Sequence, residues 1–134
     1  MEDKIQTLTK YRFEKASEDL KASKINLENS FIKASINRSY YAIFHAIRSV
    51  NAIDEFDSKK HSGVIAHFNQ FFIHTGKFEK EIYSIITSAY KIREKSDYDD
   101  FYIALREDAE EQLKNAEVFL EKIEKFLNCY FGKG

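Results

Sequence analysis

Residues 31–53 read FIKASINRSYYAIFHAIRSVNAI, and this stretch decides the fold. Ile36, Tyr40, Tyr41, Ile43, Phe44, Ile47 and Val50 recur at the spacings that stack side chains along a helix. The apolar surface is broad enough to predict a central, deeply buried helix, which requires other helices around it.

The flanking sequence supplies them. Upstream, Lys4 to Asn29 carries Ile5, Leu8, Ala16, Leu20 and Leu27 on one side and charged residues on the other; Asn29-Ser30 breaks it, with Ser30 as N-cap of the central helix. Downstream, Asp54 to Lys60 is a polar loop around Phe56. A helix then runs from His61 or Ser62 through Val64, Ile65, Phe68, Phe71 and Phe72 to His74, where Thr75-Gly76-Lys77 ends it. A fourth helix is predicted from Phe78 to Ser96, with Ile82, Ile85, Ile86, Ala89 and Ile92 inward, and Asp97 to Asp100 interrupts it. The last, Tyr102 to Tyr130, repeats Ala109, Leu113, Ala116, Leu120, Ile123 and Leu127. The expected fold is all-α: a five-helix antiparallel up-and-down bundle made by one domain over residues 1–134.

Composition points the same way. The 134 residues match the size of one domain, and 43% hydrophobic with 32% charged residues can fill and cover a core of that size. No proline and four glycines argue against strands joined by tight turns. Cys129 is the sole cysteine, which excludes an internal disulfide framework and a Cys-based zinc cluster. The chain opens Met1-Glu2-Asp3-Lys4 without a signal peptide, and no apolar run approaches the roughly 18 residues of a spanning segment, so a cytoplasmic protein without a membrane partner is expected. The aromatic stripes exceed what one bundle needs, which points to a homodimer.

The net charge of −1 removes the argument for a basic nucleic-acid-binding domain, but the charge is polarised. Residues 31–53 hold Lys33, Arg38 and Arg48 and no acid, whereas residues 94–125 hold eleven acids and five bases. The cation-bearing helix either gives its groove a positive potential that collects a phosphate or pairs with the acid-rich last helix.

Asn37-Arg38-Ser39-Tyr40-Tyr41-Ala42-Ile43-Phe44-His45 is the densest polar cluster in an apolar helix. Helical geometry brings Arg38 and His45 to nearly the same azimuth with Tyr41 between them. A guanidinium that holds a phosphate beside a neutral imidazole that takes a 2′-hydroxyl proton suits RNA cleavage without a metal or cofactor. The structural alternative is that His45 joins a core hydrogen-bond network with Tyr40 or Tyr41 and that Arg38 reaches an acid on a neighbouring helix. A second cluster places Arg93 as a further phosphate ligand, Asp97 to orient it and Tyr98 to stack on a base or accept a modification. His61 is a third candidate, for an anion or a helix cap. The catalytic set is thus Arg38, His45 and Arg93, and the nucleotide- or RNA-binding set is Asn37, Ser39, Tyr41, His61, Asp97 and Tyr98.

No metal is expected. His61, His67 and His74 recur at intervals of six and seven residues, which separates successive rings by about 10 Å, too far for a shared zinc, and His61 and His67 lack a carboxylate at ligand spacing. No Gly-rich phosphate loop or dinucleotide fingerprint is present.

Three blocks, Ala34 to Ala46, Lys60-His61-Ser62-Gly63-Val64 followed by Phe68, and Arg93 with Asp97-Tyr98, resemble in order and spacing the small stand-alone HEPN-domain proteins (higher eukaryotes and prokaryotes nucleotide-binding). The resemblance covers nearly the whole chain. It implies a helical bundle that is commonly a homodimer, often encoded beside a minimal nucleotidyltransferase with which it forms a toxin-antitoxin pair. In active toxins of that family an Arg and a His with four to six residues between them, often with a polar residue after the Arg, meet across the dimer as a metal-independent ribonuclease. Arg38, Ser39 and His45 fit that spacing, although those toxins carry the motif on a later helix, where Arg93 to Tyr98 stands here without a His. The resemblance also implies that the nucleotidyltransferase silences its toxin by adding AMP to a nearby tyrosine, for which Tyr98 is the analogous acceptor. A reading of a different class is a non-catalytic binding or adaptor subunit of the nucleotidyltransferase complex.

Overall fold

The computed structural model describes residues 3–132. It contains α1 (Lys4–Glu28), α2 (Ile32–Asn51), α3 (His61–Phe68), α4 (Ile82–Tyr98) and α5 (Arg106–Tyr130), with a 3-10 turn at Ala52–Asp54 and a π-helical turn at Asn69–Ile73. The all-α bundle read from periodicity is the fold. α2 is its axis and packs against each of the other four helices. Tyr40, Ile43, Phe44, Ile47 and Val50 meet Val64, Phe68, Ile82, Ile86, Phe119 and Ile123 in one apolar core, and Ile36 closes a smaller cluster with Leu27 and Ala109. No helix among the described residues is long and apolar enough to cross a membrane.

The contact between α1 and α2 departs from the apolar pattern. Leu8 is exposed, and the buried stripe of α1 is Thr9, Arg12, Ala16, Asp19, Ser23 and Leu27. This stripe is largely polar because α2 offers it polar partners. Ser23 Oγ lies 2.8 Å from the Ser35 carbonyl, to which it donates, 3.0 Å from Ser35 Oγ and 2.7 Å from Ser39 Oγ. Arg12 donates to the Arg48 carbonyl at 3.0 Å. Serine side chains let the two backbones approach closely while their hydroxyls satisfy one another. Ser23→Ala is expected to cost about 1–3 kcal/mol, because it strips the hydroxyls of Ser35 and Ser39 of their shared partner in a buried seam; urea unfolding would measure it, and a loss near zero would mean water replaces the hydroxyl.

Several element ends differ from the sequence reading. Ser30 is not an N-cap: it takes a left-handed conformation (φ 63°) and ends α1, with Ser30 N–H donating to Leu27 O at 3.0 Å and Phe31 N–H to Asn26 O at 2.8 Å. Its hydroxyl instead receives Arg106 Nη2 at 2.8 Å, tying the start of α5 to the α1–α2 turn. After Phe68 the π-helical turn shifts the register, so that Phe72 and Ile73 point inward while Phe71 is exposed against His67. α4 starts at Ile82 rather than near Phe78, since the buried Phe78 turns its N–H back to Phe72 O at 3.1 Å. Residues 102–105 lie outside the last helix, whose first turn is capped by Asp108 Oδ2 accepting from Leu105 N–H at 3.4 Å and from the Tyr102 hydroxyl at 3.1 Å.

Candidate functional site

α2 and α4 bring the two arginines of the sequence reading together around one tyrosine. Arg38 Cζ lies 5.0 Å and Arg93 Cζ 5.5 Å from the centre of the Tyr41 ring, and Arg93 also lies 5.0 Å from the Tyr40 ring and 5.6 Å from that of Tyr98. The negative ring faces offset the mutual repulsion of two guanidiniums. A polar chain fixes both. Asn37 Oδ1 accepts from Arg38 Nε at 3.1 Å and Nη2 at 2.7 Å; Asn37 Nδ2 donates to Asp97 Oδ2 at 3.2 Å; Arg93 donates through Nε to that carboxylate at 3.0 Å and through Nη2 to the Tyr41 hydroxyl at 3.1 Å. Arg38 Nη1 donates to Asp19 Oδ1 at 2.8 Å. A guanidinium has five N–H groups, so among the described residues Arg38 retains two and Arg93 three for an anion. One turn of α4 separates Asp97 from Arg93, so their pairing follows from helical spacing.

His45 stands deeper. It is 9% exposed, with Nδ1 3.4 Å from Arg48 Nη1 and Nε2 3.8 Å from Asp19 Oδ2. Arg48 can only donate, so Nδ1 accepts and the imidazole proton sits on Nε2, facing the carboxylate. Burial, with the like charges of Arg48, Lys15 and Arg38 acting in the same sense, lowers the His45 pKa to about 4, so the ring is neutral at pH 7. Asp19 is itself buried, and its Oδ2 has no hydrogen-bond partner among the described residues. Burial raises its pKa, against the opposing charge and hydrogen bond of Arg38. Arg48 is anchored by Asp57, with Nη2 2.8 Å from Oδ2 and Nε 3.3 Å from Oδ1.

His61 opens α3 and rests on the same aromatic wall. Its ring centre is 4.1 Å from that of Phe44 and 5.8 Å from those of Tyr40 and Tyr41, and its Nδ1 lies 2.9 Å from the Tyr40 hydroxyl. The loop ahead of α3 folds over the start of the helix: a Cβ on Gly63 would stand 2.7 Å from Ser58 Oγ and would displace that hydroxyl. Burial, Arg93 and Arg48 lower the His61 pKa. A groove of about 380 Å³ between α3 and α4, lined by residues that include Ser62, Ile65, Tyr83, Tyr90 and Lys91, begins one residue further on.

Arg38, Asn37, Tyr41, Arg93, Asp97 and Tyr98 thus form one surface, with His61 on its flank and His45 beneath it. Ser39 does not join them, because its side chain is buried against Ser23 in the seam with α1. Asp19 is the residue that sequence reasoning missed: the apolar stripe assigned to α1 placed its polar positions in solvent. Of the two alternatives for the α2 cations, the pairing with the last helix does not hold for Arg38 and Arg48. Arg38 pairs with Asp19 of α1, and Arg48 pairs with Asp57 of the following loop. His67, without a carboxylate at sequence spacing, meets Asp54 at 2.8 Å in space and stacks on Phe56. Among the described residues no group of three His, Cys, Asp or Glu side chains is arranged to hold a metal ion.

Comparison with known proteins gives the family of this helical bundle. The HEPN domain profile matches residues 9–126, and the chain belongs to the HEPN domain family. It is 38% identical over 112 residues to a Methanocaldococcus jannaschii protein named "Putative toxin MJ0605", covering 84% of this chain and 83% of that one. It is 37% identical over 115 residues to "Putative toxin MJ0142" of the same organism, covering 85% and 78%. A Thermotoga maritima protein named "UPF0332 protein" is 32% identical over 120 residues, covering 90% and 91%.

Proposed function

We propose that this chain is a toxin-type HEPN protein that binds RNA through a backbone phosphate held between Arg38 and Arg93 and cleaves it without a metal. The observation that carries the reading is the convergence of two guanidiniums from different helices on the Tyr41 ring, each with N–H groups left over. The word toxin in the names of two relatives agrees with it. In the cleavage step the ribose 2′-oxygen attacks phosphorus as its proton passes to His45, the bond to the 5′-oxygen breaks, and that oxygen takes a proton from a water whose hydroxide recovers the proton held by His45; the products are a 2′,3′-cyclic phosphate and a 5′-hydroxyl. His45 is neutral at pH 7 and so has a lone pair for this proton, once Nδ1 is released from Arg48. Asn37 and Asp97 hold the arginines, and Tyr98, 68% exposed, offers a ring to a base.

The same tyrosine suits control by a partner. A minimal nucleotidyltransferase would join the Tyr98 oxygen to the α-phosphorus of ATP with loss of pyrophosphate; Tyr40, 2% exposed, is out of reach, and the Tyr41 hydroxyl is engaged by Arg93. A homodimer would set two such surfaces side by side.

One observation favours a second reading, a non-catalytic binding or adaptor subunit: His45 is almost closed off, and Arg38 is tied into a network with Asp19 and Asn37. A single assay separates the two. The purified protein with single-stranded RNA in EDTA is expected to release 2′,3′-cyclic phosphate ends, with Arg38→Ala and His45→Ala each lowering the rate by about a hundredfold or more and Arg93→Ala by about tenfold or more. Binding without cleavage would leave a non-catalytic binding subunit; neither binding nor cleavage by the wild type would overturn the RNA reading and leave the adaptor.

A further inference from the structure

We infer that Tyr40 locks His61 as the Nε2–H tautomer and that this uncharged imidazole is a third donor to the phosphate at the Arg38–Arg93 surface; the inference rests on that reading of the surface. Tyr40 is 2% exposed, and among the described residues its hydroxyl has one hydrogen-bond partner, His61 Nδ1 at 2.9 Å. A buried phenol hydrogen needs an acceptor, and a proton on Nδ1 would leave it none. Tyr40 therefore donates, Nδ1 accepts, and the proton of the neutral ring stands on Nε2. That nitrogen has no protein partner among the described residues, yet it is not among the buried polar atoms left unpaired, so it opens to solvent.

The ring cannot tilt away from this pose, since Phe44 lies 4.1 Å from it and Tyr40 and Tyr41 flank it. Tyr40 and Tyr41 also carry the Arg93 guanidinium on their rings, so the aromatic pair that positions the cation positions the imidazole. Protonation of His61 would set an Nδ1–H against the Tyr40 O–H, and Arg48 of α2 and Arg93 of α4 add like charge, opposed among the described residues by Glu94 of α4. A donor that stays uncharged binds a phosphodiester equally well on either side of neutral pH, whereas an imidazolium would release it as pH rises.

Long-range ¹H–¹⁵N spectra of labelled protein at pH 8 read the tautomer directly. The expected result is a protonated Nε2 and a bare Nδ1 in the wild type, and a mixture in Tyr40→Phe, which keeps the ring and removes the phenol. An Nδ1–H tautomer in the wild type would overturn the lock. A short oligouridylate is then titrated while the Nε signals of Arg38 and Arg93 and the Nε2 signal of His61 are followed. All three should move together, with affinity at pH 6.5 and 8.5 agreeing within about twofold, His61→Ala weakening it about fivefold and His61→Gln recovering part of the loss. Arginine signals that move while His61 does not would overturn the inference and leave the phosphate site standing. If no signal moves, the site reading itself fails and the third donor with it.

Discussion

Phe44→Ala is expected to lower the unfolding free energy by about 3–5 kcal/mol, the range for emptying a buried phenylalanine site. Phe44 is buried in the main core, and its ring centre lies 6.0 Å from that of Tyr40 and 6.2 Å from that of Tyr41 on its own helix, and 4.1 Å from that of His61 on α3. Its removal leaves a cavity beneath the site that helices on all sides of α2 cannot collapse to fill. Phe44→Leu should cost less, because most of the volume remains. Urea unfolding followed by circular dichroism measures both. A loss below about 1.5 kcal/mol for the alanine variant would mean that the aromatic wall is not part of the cooperative core. The anion surface should suffer with the fold, since His61 loses its support while Arg93 keeps Tyr40 and Tyr41.

Acidification from pH 7 to pH 4 is expected to remove about 3 kcal/mol of stability through His45 alone, from a pKa of about 4 in the folded chain against about 6.5 in the unfolded one. Below pH 6.5 the unfolded chain takes up a proton that the buried ring refuses, so unfolding gains with each step downward. The contribution is whole above pH 6.5, falls through the interval, and levels off below pH 4, once both states are protonated. His61, also depressed, adds to the loss. Asp19 acts in the opposite direction, because its raised pKa lets the folded chain take a proton before the unfolded one does. Asp57, lowered chiefly by its hydrogen bond from Arg48, gives up its contribution as pH falls through its own depressed value. His45→Gln should flatten the profile between pH 6.5 and 4; an unchanged slope would place the acid lability elsewhere.

The polar side of the molecule explains what could and could not be read in advance. Periodicity found α2, α4 and α5, because their inward positions are apolar and apolar spacing is a local property of the chain. In α1 the same logic selected Ala16 and Leu27, which are buried, together with Ile5, Leu8 and Leu20, which are not, and it passed over the buried Arg12, Asp19 and Ser23. Their burial is tolerated because each meets a partner on α2 or in the loop after it, and no pattern within α1 records that partner. Arg38 paired with an acid on a neighbouring helix, as the structural alternative had it, but which acid was decided by the α1–α2 contact. His67 and Asp54 show the same effect on a smaller scale.

The sequence by itself determined that α2 is the buried axis of an all-α bundle and that Arg38, Tyr41 and His45 share one side of it, since a helix turns each residue by a fixed angle whatever surrounds it. Only the tertiary structure decided that Arg93 would share the Tyr41 ring, that Asp19 would sit between Arg38 and His45, that Ser39 would turn inward and that Tyr40 would reach His61. Each of these joins residues on different helices, and the packing angle and depth of those helices are set by the fit of whole side-chain surfaces, which no single stretch of the chain contains.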